Sequence, residues 1–400
     1  MKVLLSTFGP LHLIKGANYI CRMVHLSIIQ GWVPGQYTNL FIRPLSFIVK
    51  KDLQKSFKKR ECTGAVANNG IALPEFLLWI GKKWSWTKIS NLKASKLYGY
   101  LSKPYIRDAD IFHVRAGNGQ GGAIEYARKK GMKIIVDQSL AHNAFIEKAL
   151  KPDYDKYGLY WGFGPKSPFW KQVMEDCQKA DLLLVNSDFV KYTFVSQGFD
   201  PQKISVVYLG VRDDFFKIKK NYEISNTIRL LFTGGFGFRK GGLYLLEAME
   251  LLNKTNVKYE LTIVGSYEDE REILKEYDNE FINYVGFVPQ DCLKEYLSES
   301  DIYIFPSLAE GCASSGMEAM CAGMPVIATY ESGLPITNKY NGLIIPSKNP
   351  EAIANAIFEL ITDRELRENC GKHAAELIHS NYTWDKYAEG VLKCYNKVLN

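Results

Sequence analysis

Short apolar runs rich in Val, Ile and Leu recur along the chain, at residues 2–6, 111–114, 133–136, 182–185, 203–208, 229–233, 259–264, 302–305, 325–329 and 342–345. Their length and β-branched content predict buried strands. Helical periodicity stands between many of them, at 123–130, 242–253, 268–277, 290–298, 315–322 and 350–362. Strand, helix, strand in series predicts an α/β chain with parallel sheets covered on both faces. Ligands of such sheets bind at the carboxyl ends of the strands, beside helix N-termini. The pattern lapses in the polar run 212–221 and restarts at Arg229. Two Rossmann-like domains with a cleft between them are therefore expected, 1–212 and 213–380, with a closing helix in 381–400. No internal repeat is apparent, which argues against a solenoid. No apolar stretch is long enough to span a membrane, and the N-terminal apolar run is too short for a signal peptide.

Composition narrows the class without changing the fold. The chain has 400 residues, 46% hydrophobic and 23% charged, which excludes a disordered or collagen-like protein. Its eight cysteines are scattered and form no C-x-x-C pair. That usage points to reduced thiols in the cytoplasm, and away from a disulfide framework or a zinc cluster.

Charge, by contrast, is uneven. Residues 1–200 carry 29 Lys and Arg against 15 Asp and Glu, whereas residues 201–400 carry 21 against 28. The first 104 residues hold 16 basic and 3 acidic side chains. Such a field attracts phosphate, whether of nucleic acid, anionic lipid or substrate, or serves only solubility. Within it, Lys50, Lys51, Lys55, Lys58, Lys59 and Arg60 precede the apolar run 76–80 and then Lys82, Lys83, Trp84 and Trp86. Basic residues beside Trp and Leu suit an anionic membrane surface, contacted through residues 50–96. Stacking of single-stranded nucleic acid needs a similar composition. No RNP motif, zinc-finger spacing or helix-turn-helix accompanies it, so no nucleic-acid partner is expected. Core tryptophans with a basic rim remain the plainer alternative.

Two segments carry candidate chemistry. The first is Thr233-Gly234-Gly235-Phe236-Gly237-Phe238-Arg239-Lys240-Gly241-Gly242, between a strand and a helix. Glycines admit a ligand close to the backbone, the helix N-terminus favours an anion, and Arg239 and Lys240 add cationic donors. That combination suits a diphosphate, and the spacing is not that of a Walker A loop. The second runs from Phe305 through Glu310 to a helix beginning near Ser314, with Glu318 about one turn inside. Its small residues leave bare amides at the helix start, and carboxylates accept from sugar or ribose hydroxyls.

The run Glu310-Gly311-Cys312-Ala313, then Glu318-Ala319-Met320 and Gly323-Met324-Pro325-Val326-Ile327-Ala328-Thr329 resembles the signature of glycosyltransferase family 4, the retaining, nucleotide-sugar-dependent enzymes of GT-B fold. Further segments agree in order: Ala180-Asp181-Leu182-Leu183-Leu184-Val185-Asn186-Ser187, Val207-Tyr208-Leu209-Gly210-Val211, Arg239-Lys240-Gly241 before Leu245-Leu246-Glu247-Ala248, and Val285-Gly286-Phe287-Val288. The likeness is dense from about 180 to 380 and thin before 105.

The resemblance implies two Rossmann-like domains facing each other across a deep cleft, with the last helix crossing back to the first domain. It implies retaining transfer of a hexose-type sugar from a nucleotide-sugar donor to a hydroxyl of a lipid-linked or polysaccharide acceptor. Arg239 and Lys240, in the loop with Gly234, would hold the donor diphosphate. Glu318 would bind the ribose, and Glu310 the hydroxyls of the transferred sugar. The amides of Ala313, Ser314 and Ser315 would complete the cradle, with Val288 near the base and Gly16 in a turn facing the diphosphate. His142 is the candidate sugar-contacting histidine, and Asp137 a second contact. No D-x-D segment stands in a suitable loop, so neither a metal nor a cofactor is expected. The site would lie in the cytoplasm or on the inner face of the membrane.

Two departures stand out. Gly234-Gly235 replaces the Gly-Arg of many members, so either Arg239 substitutes or the phosphate grip is weaker. Gly210-Val211-Arg212 replaces the usual Gly-Val-Asp. Another GT-B enzyme, such as a sugar phosphorylase or a sugar-nucleotide epimerase, and a non-catalytic binding subunit remain the alternative readings.

Overall fold

The computed structural model describes residues 1–9, 12–33, 60–83, 87–268 and 270–400. Seven strands form the first sheet: β1 (Lys2–Thr7), β2 (His25–Gln30), β3 (Ala67–Gly70), β4 (Ile111–Arg115), β5 (Lys133–Gln138), β6 (Leu182–Val185) and β7 (Ile204–Val206), in the order β3-β2-β1-β4-β5-β6-β7. Six form the second: β8 (Thr227–Thr233), β9 (Lys258–Val264), β10 (Ile282–Gly286), β11 (Ile302–Phe305), β12 (Val326–Thr329) and β13 (Leu343–Ile345), in the order β10-β9-β8-β11-β12-β13. Neighbouring strands pair in parallel, as in Leu4↔Phe112 and Leu230↔Leu261.

Strand β1 illustrates why the sequence reads this way. Every residue after Lys2 is buried. Side chains alternate across a strand, so Leu4 joins Ile29, Phe112 and Val136 in one core, while Val3 and Leu5 join Ile28, Ile111 and Ile135 in another. Burial on both faces is what a parallel sheet under two helical layers requires.

Departures from the periodicity have local causes. Strands β3 and β10 lie at sheet edges, and their sequences, Ala-Asn-Asn-Gly and Ile-Asn-Tyr-Val-Gly, lack a continuous apolar run. The helix expected over 268–277 is reduced to Arg271–Leu274 and a 3-10 turn at Lys275–Tyr277. Tyr267 bridges Phe236, and the Glu268 amide donates to the Phe236 carbonyl at 2.9 Å, so this stretch is drawn into the loop after β8.

Each sheet reverses its order once, between β1 and β4 and between β8 and β11. The crevices at these switch points are where a ligand of such a sheet binds. The chain crosses between the domains twice, side by side: the Val211 amide donates to the Tyr382 carbonyl at 2.7 Å. The last helix, Trp384–Leu399, starts there under a Thr383 cap and buries Tyr387, Val391 and Tyr395 in the core of the first sheet.

Candidate functional site

At the β8–β11 switch point the two candidate loops are laced together. The Arg239 carbonyl accepts from the Leu308 amide at 2.8 Å and from Ser307 Oγ at 3.0 Å. Gly234 opens its loop at φ +129°, a conformation that favours glycine, and lies beside the Lys240 ammonium. Arg239 Nη1 donates to Glu310 Oε1 at 2.6 Å and to the Ala309 carbonyl at 3.1 Å. Lys240 Nζ lies 3.4 Å from the same Glu310 oxygen and 5.2 Å from the centre of the Phe305 ring. Burial raises the Glu310 carboxyl, but Lys240 and Arg239 outweigh it and hold the group below the usual range. Glu310 is therefore a carboxylate with Oε1 on the cations and Oε2 free of hydrogen bonds among the described residues.

The helix Ser314–Ala322 begins beside this cluster with Ala313 as N-cap, which has no capping side chain. Met317 is its first residue to donate back, to the Ala313 carbonyl at 2.9 Å. The Ala313 amide is not available to a ligand, because it donates to the Ser332 carbonyl at 3.1 Å. That corrects one member of the expected cradle. The amides of Ser314, Ser315 and Gly316 have no acceptor among the described residues, as expected of an uncapped helix start. One turn on, Glu318 Oε1 accepts from Gln290 Nε2 at 2.6 Å, and Gln290 Oε1 accepts from Arg212 Nη1 at 2.9 Å. Burial raises the Glu318 carboxyl, opposed by Gln290, Lys15 and Arg212.

The first domain supplies the opposite wall. A cavity of about 210 Å³ is lined by His12, Lys15 and Trp384 on one side and by Arg212, Ser314 and Glu318 on the other. Asp137, at the end of β5, accepts from Arg115 Nη1 at 2.8 Å and lies 3.2 Å from His12 Nε2. Burial pushes the Asp137 carboxyl up, but His12 and then Arg115 prevail and hold it well below the usual range. No motif pointed to His12 or Lys15. Both sit on the first helix, His12–Ile20, which the β1–β4 crevice brings to the cleft.

Two expected contacts are placed elsewhere. Gly16 lies within that first helix rather than in a turn, and a Cβ there would overlap the Tyr387 ring. Its smallness admits the last helix, and it does not line the cavity. His142 caps the helix Asn143–Lys156, its Nδ1 accepting from the Ala144 amide at 3.2 Å. Its ring packs edge-on to Phe194 and Phe199, at 5.1 and 6.0 Å between centroids, and burial pushes it down to about 4. Apolar packing and capping account for this histidine. Val288 packs against the core of the second domain, while its neighbour Phe287 is 86% exposed.

The glycine-rich turn after β4 resembles an anion cradle, but an internal carboxyl group, that of Asp176, fills it. The amides of Gly117 and Gly119 each donate to Asp176 Oδ2 at 2.8 Å, and Gln120 Nε2 donates to Oδ1 at 2.7 Å.

Several contacts join the domains, among them the Tyr154 hydroxyl donating to Glu270 and the packing of Tyr154 and Tyr157 on Phe238. Ser187 Oγ donates to the Gly311 carbonyl. Asp153, buried on the first domain, accepts from Tyr244 at 2.8 Å and from Lys348 at 2.8 Å on the second.

In the basic, aromatic stretch, Leu73, Phe76 and Trp79 are exposed on the helix Leu73–Lys83, with Phe76 stacked on Trp79 at 5.9 Å. Arg60 is committed to Glu75 at 2.6 Å. Lys50, Lys51, Lys55, Lys58 and Lys59 lie outside the described residues, as do Trp84 and Trp86. Among the described residues no helix is long and apolar enough to cross a membrane.

Comparison with known proteins agrees with this geometry. The fold is GT-B: over 100% of this chain and 99% of the other, it is similar to the crystal structure of a glycosyltransferase from Rickettsia africae, with a TM-score of 0.64 and 20% identity. HepE of Anabaena, crystallised with UDP and glucose, has a TM-score of 0.63 and 13% identity over 99% of this chain and 100% of that one. Within the fold, residues 213–377 match the family described as glycosyl transferases group 1. In sequence the chain is 30% identical over 192 residues to the amylovoran biosynthesis glycosyltransferase AmsK of Erwinia amylovora, covering 45% of this chain and 47% of that one. It is also 30% identical over 212 residues to an uncharacterised glycosyltransferase of Methanocaldococcus jannaschii, covering 48% and 54%. The chain thus spans about half the length of these curated relatives.

Proposed function

We propose that the protein is a retaining glycosyltransferase that moves a hexose-type sugar from a nucleoside diphosphate donor to a hydroxyl of a polysaccharide or lipid-linked acceptor. The observation that carries this reading is the convergence of Arg239, Lys240 and Glu310 beside an uncapped helix start at the β8–β11 switch point. Breaking the anomeric bond puts charge on the departing diphosphate. Arg239, Lys240 and the free amides of Ser314 and Ser315 are fixed in advance where that charge develops, which is the most effective form of electrostatic stabilisation. These groups serve the leaving group without a metal. Glu310 Oε2 receives a hydroxyl of the transferred sugar, while its Oε1 keeps the two cations in place. Glu318, oriented by Gln290, accepts from the ribose.

Similarity to an amylovoran biosynthesis glycosyltransferase supports a cell-envelope or secreted polysaccharide as the product. The exposed Leu73, Phe76 and Trp79 face supports contact with an anionic membrane surface on the acceptor side.

Release of nucleoside diphosphate from UDP-, GDP-, ADP- and dTDP-sugars, measured in EDTA, tests the reaction without knowledge of the acceptor. Slow release from donors of one base is expected. No release from any donor, with or without a membrane extract as acceptor, would contradict transfer.

A further inference from the structure

The glycines of the loop after β8 make room for two carboxylates. A Cβ at Gly235 would lie 2.6 Å from Glu268 Oε1, and one at Gly237 would lie 2.8 Å from Glu268 Oε2 and 2.6 Å from Glu270 Oε2. Backbone pairing fixes this overlay: the Phe236 amide donates to the Ser266 carbonyl at 2.8 Å, and the Glu268 amide to the Phe236 carbonyl at 2.9 Å. Glu270 is 2% exposed, with the Tyr154 hydroxyl on Oε1 and with Oε2 buried without a partner among the described residues. Glu268 is the outer of the two. Its side chain is 32% exposed and accepts no hydrogen bond among the described residues.

Glu268 faces the edge of Arg239 that a ligand would use. Arg239 Nη1 is taken by Glu310 and the Ala309 carbonyl, whereas Nη2 makes no hydrogen bond among the described residues and lies 3.7 Å from Glu268 Oε1. That gap is too long for a hydrogen bond. Nη2 is therefore open to a phosphate oxygen, and one bound there meets the Glu268 carboxylate across the same nitrogen. Burial raises the Glu268 carboxyl, Arg239 and Lys240 lower it, and Glu270 and Glu310 raise it again, leaving it above the usual range. Its surroundings already disfavour the charged form, and every negative charge added beside it is disfavoured further. A nucleotide-sugar and the nucleoside diphosphate left after transfer differ in this respect. Cleavage of the anomeric bond frees a phosphate oxygen and adds one negative charge at the terminal phosphate.

We infer that Glu268 sets the charge selectivity of this loop, disfavouring the nucleoside diphosphate product relative to the nucleotide-sugar and so easing product release. The inference rests on the reading of the loop as the diphosphate site. The test is calorimetric binding of UDP, GDP, ADP and dTDP, each beside its terminal methyl ester, which lacks the last negative charge as a nucleotide-sugar does. It compares the wild type, Glu268→Gln and Glu268→Asp at about pH 8, where a terminal phosphate is fully ionised. Glutamine keeps the shape and removes the charge. For the base that binds, Glu268→Gln should tighten the nucleoside diphosphate about three- to tenfold more than its ester. That is the effect of one unit charge about 6 Å away at an effective dielectric of about 40 to 80. The difference should shrink in about 1 M salt, and Glu268→Asp should keep most of the wild-type ratio. An unchanged ratio of the two affinities in Glu268→Gln overturns the inference while leaving the diphosphate reading intact. Weaker binding of both ligands would make Glu268 a positioning residue for Arg239 and overturns it too. Absence of binding for all four pairs in every protein would remove the diphosphate reading and the inference with it.

Discussion

Glu310 and its two cations form a preassembled unit in which no member stands alone. Arg239 is kept charged against burial chiefly by Glu310 and then Glu268. Removing Arg239 should therefore remove both a diphosphate contact and the restraint on Glu310. Arg239→Ala and Glu310→Ala are each expected to lower turnover by roughly 10²–10³-fold, the range seen for a single preorganised charge-stabilising group. Unchanged circular dichroism with near-normal turnover in either variant would remove that residue from the site. At this scale the sequence was informative where chemistry sits on contiguous loops at strand ends. Arg239, Lys240, Glu310 and Glu318 were legible because spacing alone sets them at the two lips of one crevice. His12 and Lys15 were not, since only the tertiary fold carries the first helix to the cleft. His142 drew attention as a histidine after a strand, and its aromatic surroundings come from Phe194 and Phe199, more than 50 residues away in sequence.

Among the elements, strands with unbroken apolar runs, such as Leu182–Val185 and Ile302–Phe305, were legible because burial on both faces leaves no room for polar alternation. Edge strands β3 and β10 escaped because their sequences, Ala-Asn-Asn-Gly and Ile-Asn-Tyr-Val-Gly, offer no continuous apolar run. The turn after β4 carries a testable consequence of its own. Burial raises the Asp176 carboxyl to about 7, against donors from Gly119, Gln120 and Gly117. In the unfolded chain an Asp titrates near ~3.9. Between these values the folded protein keeps a proton that the unfolded chain has released, so this group's contribution to stability falls as pH rises from about 4 to about 7. Asp176→Asn should flatten that part of the stability profile, measured by urea unfolding at several pH values. An unaltered slope between the two proteins would show that Asp176 titrates normally.

For the molecule, the two-domain α/β architecture was legible because alternation lapses once and restarts, and each half then builds its own parallel sheet. How the halves meet was not, since Asp153, Tyr244 and Lys348 belong to no motif. That contact is one of several that join the domains. Removing one partner of a largely buried pair costs up to about 3 kcal/mol. Asp153→Ala should therefore enlarge the radius of gyration seen by small-angle scattering and weaken donor binding; an identical scattering curve would show that other contacts fix the domains.

We propose a metal-independent nucleoside diphosphate site between the two switch points. The direct measurement is the melting temperature of the protein in EDTA with UDP, GDP, ADP or dTDP. One of these at about 100 times its Kd should stabilise the fold by about 2.7 kcal/mol, and the shift should vanish in Arg239→Ala. No shift with any of the four, or a shift that appears only after magnesium is added, would contradict it.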